Sequence, residues 1–145
     1  MKQAYFAGGC FWCITPFFAR LPGVGGVTSG FSGGEEANPS YEDVKRQATG
    51  HRETIRVDYD PEKVNFDTLL AVFLANVDPF DGGGQYIDRG RSYTLAVYYQ
   101  DEDELRAAIK RHSAGETVDI EFYRADEIRS VPVIFDEERP MQAER

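Results

Sequence analysis

Ala4-Tyr5-Phe6-Ala7-Gly8-Gly9-Cys10-Phe11-Trp12-Cys13 carries an apolar segment into a glycine pair and then into a cysteine flanked by two large aromatic side chains. Lys2 to Ala7 alternates weakly and stops at glycines, as a strand does, while Pro16 to Leu21 reads as a short helix that Pro22 and Gly23 terminate. The cysteine therefore sits on a strand-to-helix turn. Proline is accepted in the first turn of a helix and bends one it interrupts, so either Thr15 caps a short helix or Pro16 kinks a longer one that began at Cys10. A thiol reacts as its thiolate, whose free pKa of about 8.5 falls near a helix N-terminus. Cys10 is thus a candidate nucleophile beside an apolar pocket.

Outward from this turn, Val24 to Phe31 reads as a strand, and Gly33 to Pro39 is a polar loop closing on Ser40. Ser40 precedes Tyr41-Glu42-Asp43 and fits a helix N-cap followed by first-turn acids. Glu53 to Tyr59 alternates cleanly: Glu53, Ile55, Val57 and Tyr59 share one face, and Thr54, Arg56 and Asp58 the other. Asn65 to Asn76 places Phe66, Leu69, Leu70, Val72 and Phe73 near helical spacing. Residues Asp78 to Gly90 hold too many turn formers to make an element, yet they carry groups that could do chemistry. Tyr93 to Tyr99 and Val118 to Tyr123 read as strands around a helix over Glu102 to His112. Strands and helices interleave, which predicts a mixed α/β or α+β fold with a sheet covered on at least one face.

At 145 residues the chain reads as one domain, residues 1–145, large enough to bury a core without disulfides, and its 13% aromatic content supplies bulky filling. Sixteen basic against 25 acidic residues give a net charge of −9, which argues against nucleic acid and anionic membrane surfaces as partners. An acidic surface also favours a soluble monomer. The opening residues show neither a signal peptide nor a membrane span, so a cytoplasmic location is expected. In that reducing compartment two cysteines three apart suggest redox or metal chemistry. No metal is expected, because structural zinc favours a second close ligand pair and only His51 and His112 accompany the cysteines. His51 reads as structural. Gly82-Gly83-Gly84 reads as a bend, since no lysine-serine pair or helix start follows it. The charged stretch Asp136 to Arg145 is expected to fray.

Gly9-Cys10-Phe11-Trp12, Gly33-Gly34, Asn38-Pro39-Ser40-Tyr41-Glu42, Thr49-Gly50-His51-Arg52-Glu53, Asp78-Pro79 and the run from Gly84 to Tyr93 together resemble the peptide methionine sulfoxide reductases of the A class. Separated motifs agreeing in order and spacing are far more specific than any one alone. The resemblance implies a ferredoxin-like α/β sandwich with a mixed sheet and long functional loops. It implies thiol-dependent reduction of the S epimer of methionine sulfoxide, free or in oxidised proteins, to methionine. Carried over by position, Cys10 resembles the nucleophile, Phe11 and Trp12 the methyl-group pocket, and Glu53 the acid. Tyr41, Tyr93 and Asp88 resemble the polar cradle. A sulfoxide sulfur is a poor electrophile until its oxygen is protonated or strongly hydrogen-bonded, so an acid and aimed donors are what the reaction requires. Attack leaves Cys10 as a sulfenic acid. No bound cofactor is implied, only an external thiol reductant such as thioredoxin, glutathione or dithiothreitol.

The chain departs from the family's pattern in places. The tail, atypical from about residue 124, holds no cysteine, Lys45 stands where many relatives have one, and Thr15, Thr94 and Leu95 replace common family residues. Cys13 is the only internal candidate for resolving the sulfenic acid; a branch of the family with Cys-Phe-Trp-Cys followed by a proline also has it. On a helix, residues three apart hold their β-carbons about 5–6 Å apart, whereas a disulfide wants about 3.8 Å, so an external thiol ranks slightly ahead of Cys13. Two other readings stay open. Cys10-Phe11-Trp12-Cys13 has the spacing of a thioredoxin-like dithiol oxidoreductase, with Val131-Pro132-Val133 standing in for its cis-proline loop. A third class, a non-catalytic module that binds methionine sulfoxide, is left open by the changes in the tail and at Thr15.

Overall fold

The computed structural model describes residues 1–104, 106, 120–124 and 130–132. In chain order the elements are β1 (Lys2–Gly8), α1 (Phe11–Ala19), β2 (Val24–Ser32), α2 (Tyr41–Lys45), β3 (Arg52–Tyr59), α3 (Phe66–Ala75), β4 (Gly84–Gln85) and β5 (Asp88–Arg89). A 3₁₀ turn (Arg91–Tyr93), β6 (Leu95–Tyr99), β7 (Ile120–Arg124) and β8 (Ser130–Pro132) follow. Six strands form one sheet in the order β7-β6-β1-β3-β2-β8. Its pairs are antiparallel apart from the parallel β6 and β7, so the sheet is mixed, as expected.

The period-2 pattern decides which face each strand residue joins. Ala4 and Phe6 of β1, Ile55, Val57 and Tyr59 of β3, and Leu95 and Val97 of β6 turn to one side, where they pack with Phe11, Ile14 and Phe18 of α1 and Phe66, Leu69, Leu70 and Phe73 of α3. Ala7, Ala96 and Tyr98 cluster on the other face. There Ser32 Oγ bonds both Thr54 Oγ1 and the Tyr98 hydroxyl, 2.7 Å away, which satisfies three buried hydroxyls across β2, β3 and β6. The weak alternation of Lys2 to Ala7 follows from β1 being buried on both faces.

Sequence signals place the helix starts well. Ser40 caps α2 by accepting from the Asp43 amide at 3.1 Å, and Asn65 caps α3 by accepting from the Thr68 amide at 2.8 Å. Of the two helices that Pro16 allows, the longer one is observed: α1 begins directly after Cys10 and contains Pro16, and the short helix from Pro16 to Leu21 is not formed. Burial of Phe11, Ile14 and Phe18 on one stripe outweighs the proline's preference for a helix start. Thr15 does not cap; its hydroxyl donates back to the Phe11 carbonyl at 2.6 Å. Residues Asp78 to Gly90, expected to lack any element, contain the two-stranded ladder β4–β5. Tyr93 ends the 3₁₀ turn, and the strand starts at Leu95. Glu102 to Glu104 and Arg106 are helical; the rest of that expected helix, residues 118–119 and the tail from 136 lie outside the described residues.

Phe6 is the centre of the core. Its ring stacks on Phe18, Phe66 and Phe73 with centroids 5.3, 5.9 and 5.0 Å away, which joins β1 to both helices. Phe6→Ala would remove all three contacts from a fully buried site and should cost about 3–5 kcal/mol in urea unfolding. A loss under about 1 kcal/mol would show that the helices do not depend on this stack.

Candidate active site

The glycine pair is required by what surrounds it. A Cβ at Gly8 would lie 2.7 Å from a Phe73 ring carbon, and Gly9 has φ +84, the left-handed region where side chains are strained. The chain can therefore turn sharply from β1 into α1. Cys10 becomes the N-cap of α1, extended at φ −63 and ψ 121, and its carbonyl accepts from the Cys13 amide at 3.0 Å. Its thiol is almost enclosed, at 4% exposure, while Cys13 is half-buried.

The first amides of a helix have no partner within it. Here the Phe11 amide donates to Glu53 Oε1 at 3.1 Å, across 42 residues of sequence. Glu53 is 1% exposed on the inner face of β3, the face its parity with Ile55 predicts. The Tyr93 hydroxyl hydrogen-bonds Glu53 as well. Burial pushes the Tyr93 hydroxyl well above the ordinary tyrosine range, and the neighbouring Glu53, Tyr41 and Cys10 add to this. Tyr93 is therefore an O–H donor at every pH of interest. Cys10, Glu53, Tyr41 and Tyr93, drawn from four separate elements, share one electrostatic neighbourhood.

Phe11 is wholly buried, with its ring 5.8 Å from Phe31, stacked 6.3 Å from Tyr41 and edge-on 5.9 Å from Trp12. Trp12 is the partly exposed member of the aromatic pair. Tyr41 opens α2, and the Lys45 ammonium lies 5.8 Å from its ring centroid. Asp88 stands on β5, paired across the small ladder with Gln85. His51 is buried and holds the Gly33 to Pro39 loop: the Gly34 amide donates to Nδ1 at 3.3 Å, so Nε2 carries the proton and donates to the Glu36 carbonyl at 2.8 Å. Val131 and Pro132 lie in β8 opposite Phe31 and Gly30, not in a loop, and no described peptide bond is cis; Val133 lies outside the described residues. Among the described residues no group of three or more His, Cys, Asp and Glu side chains is arranged to hold a metal, and no helix is long and apolar enough to cross a membrane.

The sequence profile of the family described as "Peptide methionine sulfoxide reductase" matches residues 2–131. The chain belongs to this family. It is 43% identical over 105 residues to peptide methionine sulfoxide reductase MsrA of Bacillus velezensis, covering 72% of this chain and 59% of that protein. It is 41% identical over 116 residues to the MsrA of Halalkalibacterium halodurans, covering 80% and 66%. It thus spans about three-fifths to two-thirds of the length of these curated relatives. Methionine sulfoxide reductase A of Corynebacterium diphtheriae superimposes with a TM-score of 0.75 at 29% identity, over 86% of this chain and 65% of that one. Mxr1 from Saccharomyces cerevisiae in reduced form, with a TM-score of 0.69 at 24% identity over 75% and 65% of the two chains, shares the fold. These matches do not favour a dithiol oxidoreductase or a binding-only module.

Gln85 and Gln47 bind the loops of this reductase-family site together; Gln85 lies within the Gly84 to Tyr93 run, where the resemblance implies no role for it, and Gln47 lies outside the motifs. Gln47, at φ +65, donates to Ser92 Oγ at 2.7 Å and accepts from the Ser92 amide at 3.0 Å. A glutamine inside a turn-rich segment carries no local sign of such a role. Arg89 grips both Asp81 oxygens at 2.7 Å, and the Gly83 amide donates to the same carboxylate. The loop from Asp78 to Gly90 is thereby closed on itself. The Arg89 bond holds the Asp81 carboxyl at about 2, below its ordinary 3.8. A depressed acid contributes stability above its unfolded value and loses it as pH falls through the folded one, so this closure should weaken between about pH 4 and pH 2. Carbon-13 NMR should show the Asp81 carboxyl titrating near 2 in the native protein and clearly higher in Arg89→Ala, where only the Gly83 amide still holds it down. Identical midpoints would mean that the fork does not form in solution.

Proposed function

We propose that this chain reduces the S epimer of methionine sulfoxide, free or in oxidised proteins, to methionine at the expense of thiols. The observation that carries the reading is the bond from the Phe11 amide to Glu53, which sets a buried carboxyl against the helix start that Cys10 caps. Cys10, as thiolate, attacks the sulfoxide sulfur while Glu53 delivers a proton to the oxygen. The bond between the sulfoxide sulfur and its oxygen breaks and the hydroxyl passes to the Cys10 sulfur as the transient sulfur–sulfur bond breaks, so that Cys10 becomes a sulfenic acid, oxidised by two electrons, and methionine departs reduced by two. The Tyr93 and Tyr41 hydroxyls donate to the oxygen as charge grows on it, and Asp88 completes the polar side of the pocket. Trp12 supplies the exposed apolar wall for the methyl group, and Phe11 supports it from inside the core.

Two anions in one enclosed site repel, so the thiolate and the carboxylate share a proton between them. The helix start favours negative charge on the Cys10 sulfur, and burial favours the proton on Glu53. That distribution is the one the reaction uses.

A thiol then attacks the sulfenic acid, releasing water and forming a disulfide that a second thiol reduces. An external reductant of the thioredoxin or glutathione type fits this step better than Cys13, which is fixed in the first turn of α1 by its bond to the Cys10 carbonyl. The reading places the protein in a reducing compartment as a monomeric repair enzyme.

Methionine formation from each sulfoxide epimer with dithiothreitol tests the proposal. Only the S epimer should be consumed, Cys10→Ser should abolish turnover, and Cys13→Ser should retain it. Glu53→Gln should lower the rate by roughly 10²- to 10⁴-fold, the usual worth of a general acid. Turnover that survives Cys10→Ser, or an unaffected Glu53→Gln enzyme, would sink the mechanism.

A further inference from the structure

We infer that Gln85 is a positioning residue that fixes the nucleophile turn against the hairpin carrying Asp88. The turn is gripped from two sides. At Gly8 the neighbours are Phe73 and Val77 from α3 and the residues after it; at Gly9 they are the Gln85 Cβ and Cγ, 2.8 and 3.1 Å from where a Cβ would stand. Gln85 is therefore packed on the residue immediately before Cys10.

Its carboxamide is committed at both ends. Oε1 accepts from the Asp78 amide at 2.8 Å, and Nε2 donates to the Asp78 carbonyl at 2.9 Å and the Gly84 carbonyl at 2.8 Å. Its backbone pairs across the ladder with Asp88. One side chain, 8% exposed, thus ties the chain after α3 to the hairpin and presses the pair against the turn below Cys10. Gln85 reaches no reacting atom in this arrangement. It acts through Gly9 on one side and Asp88 on the other, so its loss should change where the thiol and the polar cradle stand relative to each other.

This inference rests on the proposed reductase activity, and its test includes a readout that does not. In a Cys13→Ser background, iodoacetamide labels Cys10 alone, and Gln85→Ala should change that rate several-fold because the turn is released. With methionine sulfoxide and dithiothreitol, Gln85→Ala should lower kcat by about tenfold or more while KM moves by about twofold or less, since misplacing reacting groups by an ångström can cost on the order of 10²-fold. Gln85→Glu adds a pH signature. As a carboxylate it faces two carbonyl oxygens without a proton to donate; protonated, it regains one donor and one acceptor and approximates the glutamine. Its kcat relative to the native enzyme should therefore rise as pH is lowered from 8 to 6, at constant circular dichroism. A Gln85→Ala enzyme with native kcat, an unchanged labelling rate, or a flat Gln85→Glu ratio would each overturn the inference. Altered labelling in a protein whose native form turns over no sulfoxide would uphold the positioning role and refute the proposed function instead.

Discussion

The hydrogen bond from the Phe11 amide to Glu53 settles two costs at once. A helix begins with amides that have no internal acceptor, and a buried carboxyl needs donors if it is to lose its water. α1 starts where the one can serve the other. That coincidence depends on residues at both ends of it. Gly9 must take a left-handed backbone so that the helix opens at residue 11, and Glu53 must lie on the same face of β3 as Ile55 and Val57 so that it points toward α1. Phe11 then fixes the arrangement by packing among Phe31 and Tyr41, which binds the start of α1 to β2 and α2.

Glu53 could be placed from the sequence because strand parity is strict: a residue two before a core isoleucine must share its face. Ser40 and Asn65 were legible as caps for a similarly local reason, since each needs only its own side chain and an amide three residues on. Pro16 was not. Its preference for a helix start is a local tendency, and the stripe of Phe11, Ile14 and Phe18 facing the sheet overrides it. The β4–β5 ladder was hidden for another reason. Two strands of two residues have no periodicity to read, and they form because Gln85 and Arg89 bind side-chain and backbone groups of Asp78 and Asp81.

The site divides along the same line. Cys10, Glu53, Tyr41 and Tyr93 are close together, and the motifs that contain them mark each one. The contacts that hold those motifs in relation carry no such mark, even where, as with Arg52, the residue itself lies in a motif. Gln47 ties the end of α2 to Ser92, next to Tyr93, and the Arg52 guanidinium donates to Thr94 Oγ1 at 2.8 Å, on Tyr93's other side. Such contacts depend on which loops the sheet brings together, and that is known only once strand order is known.

Tyr93 shows what this lacing achieves. A tyrosine hydroxyl near a carboxyl and a thiol has to stay a donor while charge moves between its neighbours. Burial ensures this by making ionisation of the phenol costly, and the nearby acidic groups raise that cost further. Burial alone would leave the hydroxyl free to choose its acceptor. Because the residues on both sides of Tyr93 are tied to the segment from Gln47 to Arg52, and that segment runs directly into Glu53, hydroxyl and carboxyl are held by one stretch of chain. The donor and the acid therefore keep their spacing as a unit, and the sulfur on the opposing helix start is the partner whose position must be set separately.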